Sequence, residues 1–240
     1  MEPIKKDAKS NPSATANLLS QIFFWLNLLL LLGFVCYSET STIPVTGEKR
    51  GNITLSCEYE ANEISVISLN SGSEIIPVCH TEECSGRVFK QRNCDVVIKD
   101  LSFSDAGKYF LNVYYNNDQA ELERQIKMYQ LHIHDEVSVK TGEELKLDVL
   151  LSNAYKVQLQ SRRSTEWMKV WSRTDGVQSE RITIRDRNLV INEFTARDAG
   201  SYRALDPDEE PLITVTVTET KEKLDDTDKD KTDGTKYRSE

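Results

Sequence analysis

The most reactive side chains in this 240-residue chain are five cysteines and three histidines. Cys57, Cys79, Cys84 and Cys94 lie close together, and paired thiols serve either metal binding or oxidation. The stretch Cys79-His80-Thr81-Glu82-Glu83-Cys84 does not match a zinc loop, whose cysteines are spaced more tightly and come in pairs. No metal is expected, and four such thiols outside the cytosol form two disulfides in one of three connectivities. His132 and His134 share one face of an expected strand. They read as a solvated strand end near a domain junction, not as a metal site. A Gly-x-Ser-x-Gly elbow, a His-Glu-x-x-His pair and a Gly-rich phosphate loop are all missing from the sequence. The expectation is therefore a protein that is not an enzyme, with no cofactor and no small-molecule substrate. A net charge of −9 argues against nucleic acid and anionic lipid as partners. Asn52-Ile53-Thr54 is an acceptor triplet for N-linked glycan, and Asn52 is the expected attachment point.

The elements that would hold these residues announce themselves through a repeat. Asp105-Ala106-Gly107-Lys108-Tyr109 recurs as Asp198-Ala199-Gly200-Ser201-Tyr202, which marks two tandem modules. An Asp closes a short turn on nearby backbone N–H groups, and the Gly accepts a backbone geometry that other residues resist. The Tyr then opens a strand. Upstream, Val96 and Ile98 correspond to Leu189 and Ile191 at the two-residue period of a strand with one buried face. Leu101 corresponds to Phe194 where each strand gives way to the turn.

This pattern resembles the tyrosine corner of the immunoglobulin superfamily, and the resemblance covers about Ser41 to Thr218. It implies an all-β chain of two immunoglobulin-like β-sandwiches, residues 41–134 and 135–219. The first would be V-set-like, and the second V-, I- or C2-like. It further implies structural pairs Arg87–Asp105 and Arg181–Asp198, with Gly107, Tyr109, Gly200 and Tyr202 completing the corners. The chain departs from the family at its cysteines. Leu111 stands where the strand-F cysteine belongs, so the usual bridge between strands B and F cannot form. Strands B and E are neighbours in this fold, which favours Cys57–Cys94 with Cys79–Cys84. In the second module Val149 and Ala204 replace both cysteines, so that module is expected to hold by packing alone. Neither module has a Trp at the usual strand-C position, where Ile67 or Leu69 and Val157 or Leu159 must stand in.

In strand F, Tyr109 and Leu111 must face inward, so Phe110, Asn112 and Tyr114 face outward. Aromatic side chains in the open are candidate contacts for a protein partner. Similarity to SLAM-type lymphocyte adhesion receptors implies recognition through the G-F-C-C′ face of the first domain. The implied contacts are Phe110, Asn112 and Tyr114, with Asn116, Asn117 and Asp118 at the F–G tip. The implied partner is a cell-surface protein, a like immunoglobulin domain among the candidates.

At the N-terminus, the apolar block from Ile22 to Val35 has the length of a signal-peptide core, and a cut after Ser38 would remove residues 1–38 as a signal helix. An uncleaved type II membrane anchor over Leu18 to Tyr37 is the alternative. From Lys221 to Glu240 the chain is mostly Lys, Asp, Thr and Glu, so residues 220–240 read as a disordered stalk-like tail. Contact with a membrane would come through an uncleaved N-terminal segment or through a C-terminal span missing from this sequence. The expectation is thus a secreted or extracellular immune-type binding protein. A soluble decoy or a structural spacer is the alternative.

Overall fold

The computed structural model describes residues 41–57, 64–80, 86–117 and 119–220. The expected signal or anchor, Cys84, Asp118 and the charged tail from residue 221 lie outside the described residues.

The chain folds as two immunoglobulin-like sandwiches built from β-strands, with one short 3-10 turn at Phe103–Asp105. The first sandwich uses β1 (Thr42–Glu48), β2 (Ile53–Leu55), β3 (Ile64–Ser71), β4 (Glu74–Ile76), β5 (Val88–Gln91), β6 (Asp95–Ile98), β7 (Gly107–Asn116) and β8 (Leu122–Val139). The second uses β9 (Leu145–Leu147), β10 (Lys156–Ser161), β11 (Met168–Ser172), β12 (Gly176–Val177), β13 (Ile182–Arg185), β14 (Asn188–Ile191), β15 (Gly200–Leu205) and β16 (Pro211–Glu219). Each sandwich has its own three-stranded sheet, β2-β6-β5 in one and β13-β14-β9 in the other. The opposing layers join into one ten-stranded sheet, ordered β12-β11-β10-β15-β16-β8-β7-β3-β4, with β1 also paired to β8.

Period-2 alternation explains the layers. In β7, Tyr109, Leu111 and Val113 are buried while Lys108, Phe110 and Asn112 are partly exposed. They pack against Leu55, Val96 and Ile98 of the facing sheet and against Leu131 and Ile133 of β8. Leu111, with 0% exposure, fills the position of the absent strand-F cysteine. In the second sandwich Val149, Ala204, Val157 and Phe194 are fully enclosed, and Trp171 of β11 packs into the same core. Burial of this apolar surface is the main force that holds a bridge-free sandwich together.

The cross-link of the first sandwich follows from register. Ile53 lies opposite Ile98 and Leu55 opposite Val96. Carrying that antiparallel register two residues further sets Cys57 opposite Cys94, and they form a disulfide with a Cα–Cα distance of 5.7 Å. Cys79 is also disulfide-bonded.

One feature differs from the expected organisation. The boundary expected near His134-Asp135-Glu136 is the middle of a strand. β8 runs unbroken over 18 residues, from the G position of the first sandwich into the A position of the second. The stretch contains no Gly or Pro to stop it. Its hydrogen-bond partners change instead: β7 along residues 122–131, then β16 along 133–139. β1 pairs with residues 128–134 and so spans the hand-over. Ile133 and His134 pair with β1 and β16 at once, which puts those two strands on opposite edges of β8.

Candidate recognition face

The two corners set the register of everything else. At the first, Asp105 accepts bonds from the Ser102 N–H at 2.7 Å and the Ser102 hydroxyl at 2.9 Å. Arg87 closes on the same carboxylate, Nη2 to Oδ2 at 2.6 Å, and the Tyr109 hydroxyl donates to the Asp105 carbonyl at 2.7 Å. The second corner repeats this chemistry. Thr195 N and Oγ1 both donate to Asp198 at 2.8 Å, Arg181 Nη2 donates at 2.7 Å, and the Tyr202 hydroxyl donates to the Asp198 carbonyl at 2.7 Å. Burial pushes both tyrosine hydroxyls well above their ordinary pKa. Burial also raises Asp198, but its bonds from Arg181 and Thr195 outweigh this and hold the carboxyl below its ordinary value. Gly107 and Gly200 have φ of +138° and +152°, a region side chains rarely adopt.

With Tyr109 fixed inward, the outward face of the large sheet in the first sandwich is determined. Three cross-strand rows run over it, because directly paired residues share a face. Phe110 lies between Met128 on β8 and Asn70 on β3, with Ile75 of β4 beyond. Asn112 lies between Ile126 and Ser68, and Tyr114 between Arg124 and Val66. Leu122 extends the face opposite Asn116. Val66, Ile75 and Leu122 are 57%, 70% and 64% exposed, the most open large apolar side chains among the described residues. Phe110 and Tyr114 are half-buried among their neighbours. Asn112 Nδ2 donates to Asn70 Oδ1 at 3.2 Å, a cross-strand amide pair inside the face.

The F–G tip is locally self-satisfied. Asn117 Oδ1 accepts from Gln119 N at 3.0 Å and Glu121 N at 2.9 Å, and its Nδ2 donates to Glu123 at 2.7 Å. The Tyr115 hydroxyl bonds the other oxygen of Glu123 at 2.8 Å. The bonds from Asn117 and Tyr115 lower the Glu123 pKa. Asn117 thus shapes the turn, while Asn116 is exposed.

Four residues of the face, Val66, Ile75, Ile126 and Met128, escape a reading of strand F alone. Inward Leu69 makes Val66 outward by parity, since the register runs unbroken from Leu69 to Val66. Ile126 and Met128 alternate with buried Tyr129 and Leu131. β4 offers no such cue, because three residues set no period.

The outer face of the second sandwich is different in kind. Lys156, Gln158 and Gln160 of β10 and Ser201 and Arg203 of β15 line it. Arg203 stacks on Trp167 with 3.9 Å from its guanidinium carbon to the ring centroid, and donates to Gln158 at 2.9 Å.

On the opposite, β2-side sheet, Asn52 is exposed and its Oδ1 accepts from Asp100 N at 3.1 Å. His132 and His134 sit at the hand-over in β8, their ring centroids 4.3 Å apart, and His132 Nε2 lies 2.9 Å from Thr214 Oγ1. Burial, then the neighbouring His134, pulls His132 down to about 4. No cluster of His, Cys, Asp and Glu suited to a metal occurs among the described residues. No helix among them is long and apolar enough to cross a membrane.

No protein-family model and no curated protein matches the chain. Among solved structures it is similar to CD84, a structure titled for SLAM family function, at 20% identity over 39% of this chain and 97% of that one, with a TM-score of 0.30. It is also similar to the N-terminal four immunoglobulin domains of Dscam1, at 11% identity over 75% of this chain, TM-score 0.31, and spans 51% of that structure. Murine CEACAM1b is similar at 18% identity over 74% of this chain and 96% of that one, TM-score 0.31. Strand order, register and the paired corners give the chain an immunoglobulin-like fold.

Proposed function

We propose that this protein is an extracellular recognition module that binds another cell-surface protein, a like immunoglobulin domain included, through the outer β8-β7-β3-β4 face of its first sandwich. The observation that carries this reading is the contrast between the two outer faces. The first presents Val66, Ile75 and Leu122 in the open beside Phe110, Tyr114, Ile126 and Met128. On the second, Lys156, Gln158, Gln160, Ser201 and Arg203 form the centre and Arg203 covers Trp167, while the exposed apolar side chains of that sandwich, Tyr155, Met168, Val177 and Ile184, are less open at 37–51%. A contiguous exposed apolar surface on a soluble domain marks a contact site, and large anchors at its centre supply most of the binding free energy. The disulfides at Cys57–Cys94 and Cys79 support an oxidising, extracellular setting. Asn52 supports it too. Its Oδ1 is held by Asp100, which leaves the amide nitrogen to take glycan on the sheet away from the recognition face. The residues proposed to contact the partner are Phe110, Asn112, Tyr114 and Asn116, together with Val66 and Ile75, whose exposure beside them supports their inclusion.

The test is a screen of the purified protein against cell-surface ectodomains and against itself, repeated with Phe110→Asp/Tyr114→Asp and with Val66→Asp/Ile75→Asp. Both variants are expected to be secreted normally and to lose at least roughly tenfold in affinity, as two buried anchors replaced by charges should. A partner that binds both variants as well as the parent overturns the proposal. Finding no saturable partner at micromolar concentration would favour the decoy or spacer reading, to which the unbroken β8 is also suited.

A further inference from the structure

Beside the recognition face, one cross-strand row closer to the second sandwich, lies a small recess with a volume of about 340 Å³. Its floor is Gln130 and His132 of β8. One wall is β1, where Pro44 pairs with Gln130, and the other is Lys108 with Asp208 from the turn between β15 and β16 and Pro211 at the start of β16. Gln130 is 5% exposed, and neither its Oε1 nor its Nε2 has a hydrogen-bond partner. By parity with Met128 it faces the outer side of the sheet, toward the recess, not the apolar core. A buried amide with both ends unpaired is a destabilising feature that sequences rarely keep without a use.

We propose that this recess is a receptor for a primary carboxamide, the side chain of an Asn or Gln on the bound partner. The inference rests on the recognition-face reading and deepens it. The choice of ligand follows from what Gln130 offers. Its amide presents one N–H and one C=O along the same edge. Another primary carboxamide presents the same two groups and closes a ring of two hydrogen bonds. A trans peptide group points its N–H and C=O in opposite directions and cannot. A carboxylate has acceptors only, and would also meet Asp208 and Glu210 at the rim. Pro44 and Pro211 provide apolar walls for the methylene stem.

The gate is the ion pair between Lys108 Nζ and Asp208 at 2.5 Å, whose side chains are 39% and 68% exposed. An exposed pair of this kind contributes little to stability, less than an unpaired buried amide costs. Displacing Lys108 to let a carboxamide reach Gln130 is therefore favourable on balance.

The experiment titrates the ¹⁵N-labelled protein with N-acetylglutamine methylamide, N-acetylmethionine methylamide and N-acetylglutamate, and follows the Gln130 side-chain NH₂ and the backbone amides of Lys108 and His132. The glutamine probe is expected to shift these resonances saturably, and the other two are not. Asp208→Ala, which frees the gate, is expected to tighten the glutamine probe at least threefold. Gln130→Leu, which removes the unpaired amide without emptying the site, is expected to fold and to abolish the response. Equal shifts from the methionine probe, no saturable shift even in Asp208→Ala, or a long-lived water bonded to Gln130 that persists at saturating probe overturns the proposal. Phe110→Asp/Tyr114→Asp separates the two readings. If it keeps both its partner and the probe response, the recess stands without the face; a parent that loses its partner on this substitution but ignores the probe leaves the face without the recess.

Discussion

At the scale of the residue, the corner aspartates show how a local motif becomes a measurable stability term. Asp198 accepts from Thr195 N, Thr195 Oγ1 and Arg181, and these bonds hold its carboxyl below the ordinary value even though burial opposes them. A carboxyl whose folded pKa lies below its unfolded value stabilises the fold above the unfolded pKa, near 4, and that contribution is lost as pH falls through the folded value. The unfolding free energy of the parent should therefore drop more steeply between about pH 5 and pH 2 than that of Asp198→Asn, which has no proton to take up there. Denaturant unfolding at a series of pH values reads this directly, and parallel curves would show that the carboxylate is not coupled to folding. The corner residues were legible in the sequence because Asp, Gly and Tyr at fixed offsets have a purely local explanation. Gln130 was not. A polar residue at an outward position reads as solvated, and only β1 and the segment from Asp208 to Pro211, both distant in sequence, turn that position into the floor of a recess.

At the scale of the element, the same corner glycine does different work in the two sandwiches. A Cβ on Gly200 would stand 2.2 Å from the backbone oxygen of Gln160 and 2.8 Å from the Ser161 Cα. Both belong to β10, to which β15 is paired through Ser161↔Gly200. A Cβ on Gly107 would meet only Asn153 Nδ2, at 3.0 Å, the flexible end of a side chain. Both substitutions incur backbone strain, and only Gly200→Ala also forces two strands apart. Roughly 3–5 kcal/mol is expected for Gly200→Ala, and roughly 1–3 kcal/mol for Gly107→Ala. Equilibrium unfolding in urea would rank them, and equal losses would contradict the steric account. Elements with a long period were the readable ones. β7 alternates from Gly107 to Tyr114 and is pinned by Tyr109, so its two faces follow from sequence. β4 is three residues long and carries no period, so the most exposed apolar side chain of the face, Ile75, could not be assigned. The Cys57–Cys94 bridge needed the pairing of β2 with β6, which the sequence supplied through family resemblance and the structure through register.

At the scale of the whole molecule, the junction between the sandwiches is a strand, not a linker. From Leu122 to Val139 every stretch of β8 is paired, first to β7, then to β16, with β1 across the hand-over. Side chains add to this: Lys108 bonds Asp208 at 2.5 Å, Lys49 bonds Asp135 at 2.9 Å, and Asn153 Nδ2 donates to the Ala106 carbonyl at 3.1 Å. The exposed ion pairs contribute little by themselves. The continuous backbone ladder is what denies the chain a hinge, because bending β8 there would break hydrogen bonds to β1 and β16 together. The sequence hid this, since the echo of Val45-Thr46-Gly47-Glu48 in Val139-Lys140-Thr141-Gly142-Glu143 marks where a module begins, and nothing local tells a strand that continues from one that stops. A fixed junction holds the recognition face and the recess at Gln130 in one orientation, so a partner that contacts both meets them without an ordering cost. Inserting Gly-Ser-Gly between His134 and Asp135 should leave both sandwiches folded, since each keeps its own three-stranded sheet opposite its share of the large one, while uncoupling their directions. Small-angle scattering should then show a single well-defined maximum dimension for the parent and a broadened distribution for the insertion variant. Partner affinity should fall, although every contact residue is intact. If scattering and affinity are both unchanged, the ladder is not what sets the geometry, and the side-chain bonds at Lys49, Lys108 and Asn153 must hold the junction instead.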